Sequence, residues 1–288
     1  MGLMNNKITI ADLLEAKRQG QSICAVSCYD YTTAKLISRT NVQMILVGDS
    51  AAQVMLGFDS TLPATMDFMV SITAAVRRAA PDICLVADMP FLSYQLGVEK
   101  AVENAGRFFT ECNVQIVKIE ASSPYIDVIK SISNAGMAVM AHIGIRPQAI
   151  SKVGRFKSQA STAENAAELI NLADQLVNAG ASSLLLEGTC AEVAQIITKR
   201  VDVPVIGCGS GAGCDGQILI LPDILGLSET SPKFAKNYCK VSDTIVKSVN
   251  RYCKDVTAGK FPDGKHSYHM KKGEYKRLRQ LLKDMKTL

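Results

Sequence analysis

Four carboxylates follow short apolar segments of this 288-residue chain. Asp49 comes after MILVG, Asp88 after LVA, Glu120 at the end of IVKIE and Glu187 at the end of LLLE. A single acidic residue in such a place is often a turn residue or a helix cap. Several of them on neighbouring buried strands are costly to desolvate unless a cation or a proton compensates their charge. The pattern therefore predicts one shared site for a metal ion and for acid/base chemistry.

Oxygen ligands alone favour Mg²⁺ over zinc, and Mg²⁺ commonly combines one or two carboxylates with water and substrate oxygens. A 2-oxo acid can chelate such an ion through its carboxylate and its keto group. The neighbouring carbon then becomes acidic, because the metal stabilises the enolate that forms. The predicted chemistry is proton removal next to the keto group of an oxo acid.

Two residues suit the remaining roles in that reaction. Glu187 lies between three leucines and Gly188, and a carboxylate with apolar neighbours is a stronger general base. Its structural alternative is a salt-bridged residue at the rim of the site. Lys118 would supply positive charge to the substrate, or would be a satisfied interior lysine, which is uncommon on a buried strand.

Three further polar residues are placed around the site rather than at its centre. His142, in the motif MAHIG, would hydrogen-bond the substrate or a ligand, or would be a core histidine. Tyr29 and Asp30 come directly after the first apolar segment and would close the other side of the pocket.

The elements that must position these side chains alternate along the chain. Eight short apolar segments are typical of strands, at residues 23–27, 44–47, 83–87, 115–119, 138–141, 183–186, 204–207 and 217–221. Helical patterns lie between them, at residues 32–39, 66–79, 98–112, 125–134, 162–178 and 191–199. This alternation predicts parallel strands joined by right-handed crossovers, and eight of them predict an α/β fold of the (β/α)8 or TIM barrel type. The carboxyl ends of all the strands then meet on one face, where the predicted site residues converge.

One link departs from that pattern, because only the residues CGSGAGCDGQ separate the seventh segment from the eighth. Either the helix of this link is vestigial or the number of strands differs by one. Gly207, Gly209 and Gly211 in the link form a tight turn or an anion-binding loop. The rival architecture is a doubly wound sheet, but no Gly-x-Gly-x-x-Gly motif follows the first strand.

Charge is distributed unevenly, since residues 264–288 contain eight Lys or Arg against two acids, a net charge of +6, and the preceding residues carry about −1. We expect a barrel domain over residues 1–263 and a basic helical tail over residues 264–288. The tail is interpreted as a solvated helix rather than a nucleic-acid surface, because no aromatic platform accompanies it.

Nine cysteines are scattered singly without a Cys-x-x-Cys pair, which is typical of reduced thiols. The chain shows neither a signal-peptide pattern nor an apolar segment of membrane-spanning length. We therefore expect a cytoplasmic protein that acts on small molecules and has no nucleic-acid or membrane partner.

Motifs from about Ile8 to His269 form a specific set: SCYDYTTAKL, LVGDSAAQVMLGFDSTLPATM, AAVRRAAP, ADMPFLSY, VKIE, AHIGIRPQ, LLLEG, PVIGCGSG, CDGQILILPDILGL and PKFAKNY. Together they resemble the 3-methyl-2-oxobutanoate (ketopantoate) hydroxymethyltransferase family. The resemblance implies a barrel of the phosphoenolpyruvate/pyruvate-binding type in a cytoplasmic homo-oligomer, commonly a homodecamer. It also implies transfer of a hydroxymethyl group from 5,10-methylenetetrahydrofolate to 3-methyl-2-oxobutanoate through a Mg²⁺-stabilised enolate, giving 2-dehydropantoate for pantothenate biosynthesis.

The resemblance also implies roles for single residues. Asp49 and Asp88 would bind Mg²⁺ and the substrate, and Glu120 would complete the metal site. Ser50 and Lys118 would contact the oxo acid.

Glu187 corresponds to the family's proton acceptor, so each acid and metal ligand that the resemblance implies is present. A catalytically silent paralogue that serves as an assembly partner would be expected to lack one of them. A related Mg²⁺-dependent 2-oxo acid lyase or aldolase, which uses the enolate without folate, is the second alternative. Dependence on methylenetetrahydrofolate separates it from the transferase.

Five positions carry a larger residue where the family usually has glycine: Ala52, Ala121, Ser122, Arg155 and Ala160. An added Cβ atom restricts the backbone and narrows any pocket nearby. These positions therefore bear on folate binding and on loop closure over the site.

Overall fold

The computed structural model describes residues 7–155, 157–228 and 231–285. Eight parallel strands follow one another around a closed barrel, in which the eighth strand pairs with the first. The strands are β1 (Ile23–Ser27), β2 (Met44–Val47), β3 (Cys84–Asp88), β4 (Ile116–Glu120), β5 (Ala138–Gly144), β6 (Ser183–Glu187), β7 (Val205–Cys208) and β8 (Gly216–Ile220). The predicted (β/α)8 barrel and its number of strands are confirmed.

Helices surround the barrel and connect its strands. The described α-helices are α1 (Ile10–Arg18), α2 (Tyr31–Ile37), α3 (Ala51–Val54), α4 (Met66–Ala79), α5 (Val98–Cys112), α6 (Ile126–Asn134), α7 (Ile150–Val153), α8 (Ala163–Asn178), α9 (Ala191–Arg200), α10 (Leu221–Leu225), α11 (Val241–Thr257) and α12 (Glu274–Asp284). The predicted bounds of α4 and α5 coincide with the structure. The side chains of Thr65 and Thr162 accept hydrogen bonds from backbone N–H groups in the first turns of α4 and α8, which fixes where these helices begin.

Side chains alternate between the barrel interior and the helix layer, as the period of two in a strand requires. In β3, Val86 packs in the inner cluster and Leu85 packs in the outer one. The next inward position after Val86 is Asp88, and in β4 the position after Ile116 is Lys118. The apolar interior therefore gives way to a polar layer at the carboxyl ends of the strands.

The short link between β7 and β8 contains turns and bends over residues 209–215 and no helix. Gly209 has a φ of +64°, a backbone conformation that glycine adopts without steric cost. A Cβ atom added there would lie 2.6 Å from the ring of Phe234. The link is therefore a tight turn with a vestigial crossover, and its anion-binding interpretation stays a prediction.

Helix α1, which was not predicted, packs against the inner cluster through the buried side chain of Leu13. Lys17 of α1 forms a 2.7 Å ion pair with Asp215 and donates to the carbonyl oxygen of Thr198. Asp215 also accepts a hydrogen bond from the backbone of Val205 at the start of β7. These contacts fasten α1 to the amino end of the barrel.

The chain divides into two compact units, of which the first ends at Tyr238 and the second begins at Cys239. The predicted division after residue 263 lies inside the second unit. That unit contains α11 and also α12, which lies within residues 264–288. Among the described residues, no helix combines the length and the hydropathy needed to cross a membrane.

Candidate active site

Six of the predicted residues line one cavity of about 210 Å³ at the carboxyl end of the barrel: Asp49, Ser50, Asp88, Lys118, His142 and Glu187. Leu46, Leu185 and Phe234 contribute apolar parts of its wall. These residues at the strand ends thus surround a cavity whose size suits a short organic acid.

A continuous series of charged and polar groups crosses this cavity. Lys118 Nζ lies 2.8 Å from Asp88 Oδ1, in accord with the register that pairs these two residues across β3 and β4. The same ammonium lies 3.4 Å from His142 Nδ1, and His142 Nε2 lies 3.3 Å from Glu187 Oε2. Because an ammonium can only donate, Nδ1 of His142 is the acceptor and its Nε2–H faces Glu187.

Burial determines the protonation of these groups. Desolvation raises the pKa of Asp88 well above its ordinary value, and the nearby Asp49 adds to the effect while Lys118 opposes it. Desolvation also lowers the pKa of His142, as does the Lys118 ammonium, so the imidazole is neutral. Burial alone would lower the pKa of Lys118, but the surrounding carboxylates, Asp88 first among them, raise it instead. Lys118 is therefore a permanent cation at the centre of the site.

Glu187 is more exposed than Asp49, Asp88 and Glu120, and 22% of its side chain is accessible to solvent. The strong apolar surroundings predicted for it are therefore only partly present. Gly144 fixes its position from the neighbouring strand, since a Cβ atom at Gly144 would lie 2.2 Å from the carbonyl oxygen of Glu187. Gly144 also has a φ of +95°, so both space and backbone conformation require glycine there.

Gln148 is a central residue that the sequence interpretation missed. Its backbone N–H contacts both carboxylate oxygens of Glu120 at 3.0 and 3.1 Å, and its side-chain amide donates to Asp49 Oδ2 at 2.9 Å. The hydroxyl of Tyr94 donates to the Gln148 side-chain oxygen at 2.8 Å. Desolvation raises the pKa of Glu120 well above its ordinary value, while Lys118 and the bond from Gln148 oppose the shift. Gln148 thus joins Glu120, which does not line the cavity, to the carboxylates that do.

The residues predicted to close the other side of the pocket behave differently from one another. The buried Tyr29 hydroxyl lies 2.8 Å from the Ser50 hydroxyl and so supports a cavity residue. Asp30 does not line the cavity, and its carboxylate instead accepts a hydrogen bond from Thr33 as the N-cap of α2. Its placement in the pocket wall is corrected accordingly, because the capping role takes its side chain to the helix.

The five positions with a residue larger than glycine differ in how the structure accommodates the added side chain. Ala52 and Ala121 are fully buried in ordinary backbone conformations and fit among core residues. Ala160 has a φ of +61°, which an alanine adopts only with strain. Nothing in the structure explains Ser122 or Arg155. The neighbouring Phe156 of the same motif lies outside the described residues.

The site's residues fit a hard divalent cation. Asp49, Asp88 and Glu120 are all buried and close to one cation, Lys118, so one positive charge faces three acids. Asp88 Oδ1 is buried without a hydrogen-bond partner among the described residues apart from its ion pair with Lys118. Within the described part of the chain, no three His, Cys, Asp or Glu side chains already form a metal cluster. Both findings agree with a Mg²⁺ ion that takes one or two of these carboxylates as ligands and completes its coordination with water and substrate oxygens.

A closed parallel barrel with this buried acid, lysine and histidine series at its carboxyl ends defines a (β/α)8-barrel enzyme of the acid/base class. Residues 7–264 match the family described as ketopantoate hydroxymethyltransferase. The chain therefore belongs to the ketopantoate hydroxymethyltransferase family, as its motifs predicted.

Relatives cover nearly the whole chain. It is 42% identical over 278 residues to the 3-methyl-2-oxobutanoate hydroxymethyltransferase of Hyperthermus butylicus, which covers 96% of each chain. It is 44% identical over 263 residues to the enzyme of the same name from Clostridium novyi, covering 91% of this chain and 96% of the relative.

Solved structures share the barrel at low sequence identity. A 2,3-dimethylmalate lyase of the PEP mutase/isocitrate lyase superfamily has a TM-score of 0.57 at 16% identity and covers 96% of each chain. Phosphonopyruvate hydrolase in complex with oxalate and Mg²⁺ has a TM-score of 0.57 at 12% identity, covering 90% of this chain and 93% of the other. These structures agree with the (β/α)8 barrel fold, and the phosphoenolpyruvate/pyruvate-binding type stays a prediction.

Proposed function

We propose that this protein transfers the one-carbon unit of 5,10-methylenetetrahydrofolate, with one molecule of water, to 3-methyl-2-oxobutanoate as a hydroxymethyl group, giving 2-dehydropantoate and tetrahydrofolate. The observation that carries the proposal is the series Asp88, Lys118, His142 and Glu187 across one small cavity, in a chain of this family. Each contact of this series has a role in removing and replacing a proton beside a keto group.

Glu187 takes the proton from C3 of the oxo acid, because its carboxylate lines the cavity, with His142 Nε2 3.3 Å away. The neutral His142 has its Nε2–H on the side of Glu187, where a small movement of either side chain would let it donate to the base. Lys118 places a permanent positive charge beside the substrate's carboxylate and the negative charge that develops on its oxygen. Ser50, supported by Tyr29, donates a hydrogen bond to the same substrate.

We assign a Mg²⁺ site to Asp49 and Asp88, with Glu120 beside them and held by Gln148. When bound, the ion supplies a Lewis acid next to the keto oxygen of the substrate. The phosphonopyruvate hydrolase of similar fold was solved with Mg²⁺ and oxalate, a small dicarboxylate, which supports this choice of metal.

We place the reaction in the cytoplasm and in a homo-oligomer. Cys28, Cys84 and Cys112 are free thiols in the barrel unit, in keeping with a reducing compartment. The homodecamer that the family resemblance implies remains part of this proposal.

A Mg²⁺-dependent lyase or aldolase without folate is the second candidate, favoured by the fold shared with a 2,3-dimethylmalate lyase. The deciding experiment follows the products by proton NMR after purified protein, Mg²⁺ and 3-methyl-2-oxobutanoate are mixed with and without methylenetetrahydrofolate. A hydroxymethyl signal that requires the folate supports the transferase. Proton exchange at C3 without any such signal contradicts it and favours the lyase.

A further inference from the structure

A second cavity of about 700 Å³ adjoins the first at the carboxyl end of the barrel. The two share Gln53, Ile220, Asp223 and Pro232 in their walls. Its volume lies within the range of about 300–1,000 Å³ that is usual for ligand pockets. The proposed reaction needs a second, larger substrate beside the oxo acid, and this cavity shares part of its wall with the oxo-acid cavity.

The shared wall contains one buried acid with few partners. Asp223 is 5% exposed and accepts a hydrogen bond from the Ser231 hydroxyl at 3.3 Å. No lysine or arginine of the described residues forms an ion pair with it. A carboxylate has up to four acceptor positions, and the Ser231 hydroxyl occupies one of them, so Asp223 can accept further hydrogen bonds on its cavity side. The cavity side of Asp223 therefore calls for a ligand that brings its own N–H groups.

The rest of the second cavity suits the faces of a flat ring. Val54, Pro222 and Leu227 line it, and the side chains of Val54 and Leu227 are 40% and 38% exposed. The polar lining consists of Asp223 with Gln53, Ser228 and Ser231, and apolar walls with a few polar groups are typical of a site for a heterocycle.

We infer that Asp223 binds the 2-amino-4-oxo-pyrimidine edge of the pterin ring of the one-carbon donor, and that the second cavity holds this ring. That edge carries a ring N–H and an amino group side by side, and two parallel donors match the two oxygens of a carboxylate. The inference rests on the proposed function, because it assigns the donor's place in the same active site.

The test compares equilibrium binding of tetrahydrofolate, measured by calorimetry under anaerobic conditions, in wild type, Asp223→Asn and Asp202→Asn. Asn keeps the shape of the side chain but turns a donor toward the ligand's donors, so tetrahydrofolate affinity should fall by about tenfold to a hundredfold. Asp202 is exposed and lies before β7 at the opposite end of the barrel, so its variant should match wild type.

Steady-state kinetics provide the second measurement. Asp223→Asn should raise the KM for methylenetetrahydrofolate much more than the KM for the oxo acid, because Asp223 lines both cavities but the charged groups Asp88 and Lys118 that face the oxo acid line only the first. Leu227→Trp, which fills the cavity and leaves Asp223 in place, should show the same split. Equal affinities in Asp223→Asn and Asp202→Asn, or equal losses for both substrates, overturn the inference.

The two proposals fail in distinguishable ways. If wild type forms no folate-dependent product, the proposed function is wrong and the inference falls with it. If wild type forms that product and Asp223→Asn binds tetrahydrofolate as wild type does, only the assignment of the pterin site is wrong.

Discussion

At the scale of single residues, strand periodicity made most of the site predictable. An inward residue at the end of a buried strand follows an inward apolar residue two positions earlier, as Asp88 follows Val86. Gln148 was missed because it lies in a 3₁₀ helix of only three residues, Pro147–Ala149, which is too short for a periodic pattern to predict the direction of a side chain. The motif AHIGIRPQ that contains it was the available signal. Asp30 was misplaced because a cap and a pocket residue look alike in sequence.

Glu120→Gln tests the electrostatic description of the site through the pH dependence of stability in the presence of EDTA. The pKa of Glu120 is raised in the folded protein above its ordinary value of about 4.5. The stabilisation of the folded state by the protonated Glu120 side chain is therefore fully present only below about pH 4.5. That contribution is lost as the pH rises toward the raised value, by at most about 1.4 kcal/mol per pH unit. Glutamine does not titrate, so the free energy of unfolding of the variant should gain on wild type as the pH rises from about 4.5.

Urea unfolding at several pH values measures this difference. Matching pH profiles for the two proteins would contradict a raised pKa of the buried Glu120 carboxyl. The difference between the two proteins at pH 4 serves as the reference, because Glu120 of wild type and the glutamine of the variant are both neutral there.

At the scale of elements, the long helices and the strands were predictable and the short helices were not. Helices α4 and α5 have strong apolar periodicity and clear starts, whereas α3, α7 and α10 have at most five residues each, too few for a periodic pattern. Strand β5 extends further than predicted, to Gly144, because its polar residue His142 is still inside the barrel.

The segment before α8 is the element in which a replaced glycine matters most. Gln159 pairs with the end of β6 through the carbonyl oxygen of Gly188 and the N–H of Cys190, so this segment lies beside Glu187. The next residue, Ala160, is held at a φ of +61°. Hydrogen bonds to residues just after β6 thus hold this segment in a backbone conformation that Ala160 disfavours.

Ala160→Gly should therefore raise the free energy of unfolding by about 0.5–1 kcal/mol. The left-handed conformation costs alanine about 1–2 kcal/mol, and glycine removes this cost. Part of the gain is offset because glycine also increases the conformational entropy of the unfolded chain. Chemical denaturation measures the change. Ala179→Gly is the matched control, since Ala179 has a φ of −76° and the same substitution should destabilise there. A loss of stability in both variants would show that Ala160 is not strained.

At the scale of the whole molecule, α11 presents an apolar stripe that the sequence interpretation did not anticipate. Ile245, Val249, Tyr252 and Val256 recur at helical spacing, and each is between 45% and 57% exposed. A stripe of this kind is typical of a surface that a partner covers. A second copy of the chain is the partner that the proposed homo-oligomer supplies.

Val249→Glu should consequently lower the mass of the assembly, because a charge in a covered apolar surface is costly to desolvate. Sedimentation velocity should give wild type a mass several times 31.0 kDa and the variant a smaller one. Asn250→Glu adds the same charge on another face of α11 and should leave the mass unchanged. A monomeric wild type would contradict the homo-oligomer.

The assignment of Glu187 as the proton acceptor is tested most directly by proton NMR of 3-methyl-2-oxobutanoate in D₂O with Mg²⁺. Wild type should exchange the C3 proton, and Glu187→Gln should bind the oxo acid within about twofold of wild type while slowing exchange by at least about a hundredfold. Asp88→Ala should lose Mg²⁺-dependent binding and exchange together. Exchange by Glu187→Gln at the wild-type rate, or equal loss of binding in both variants, would contradict the account of the site.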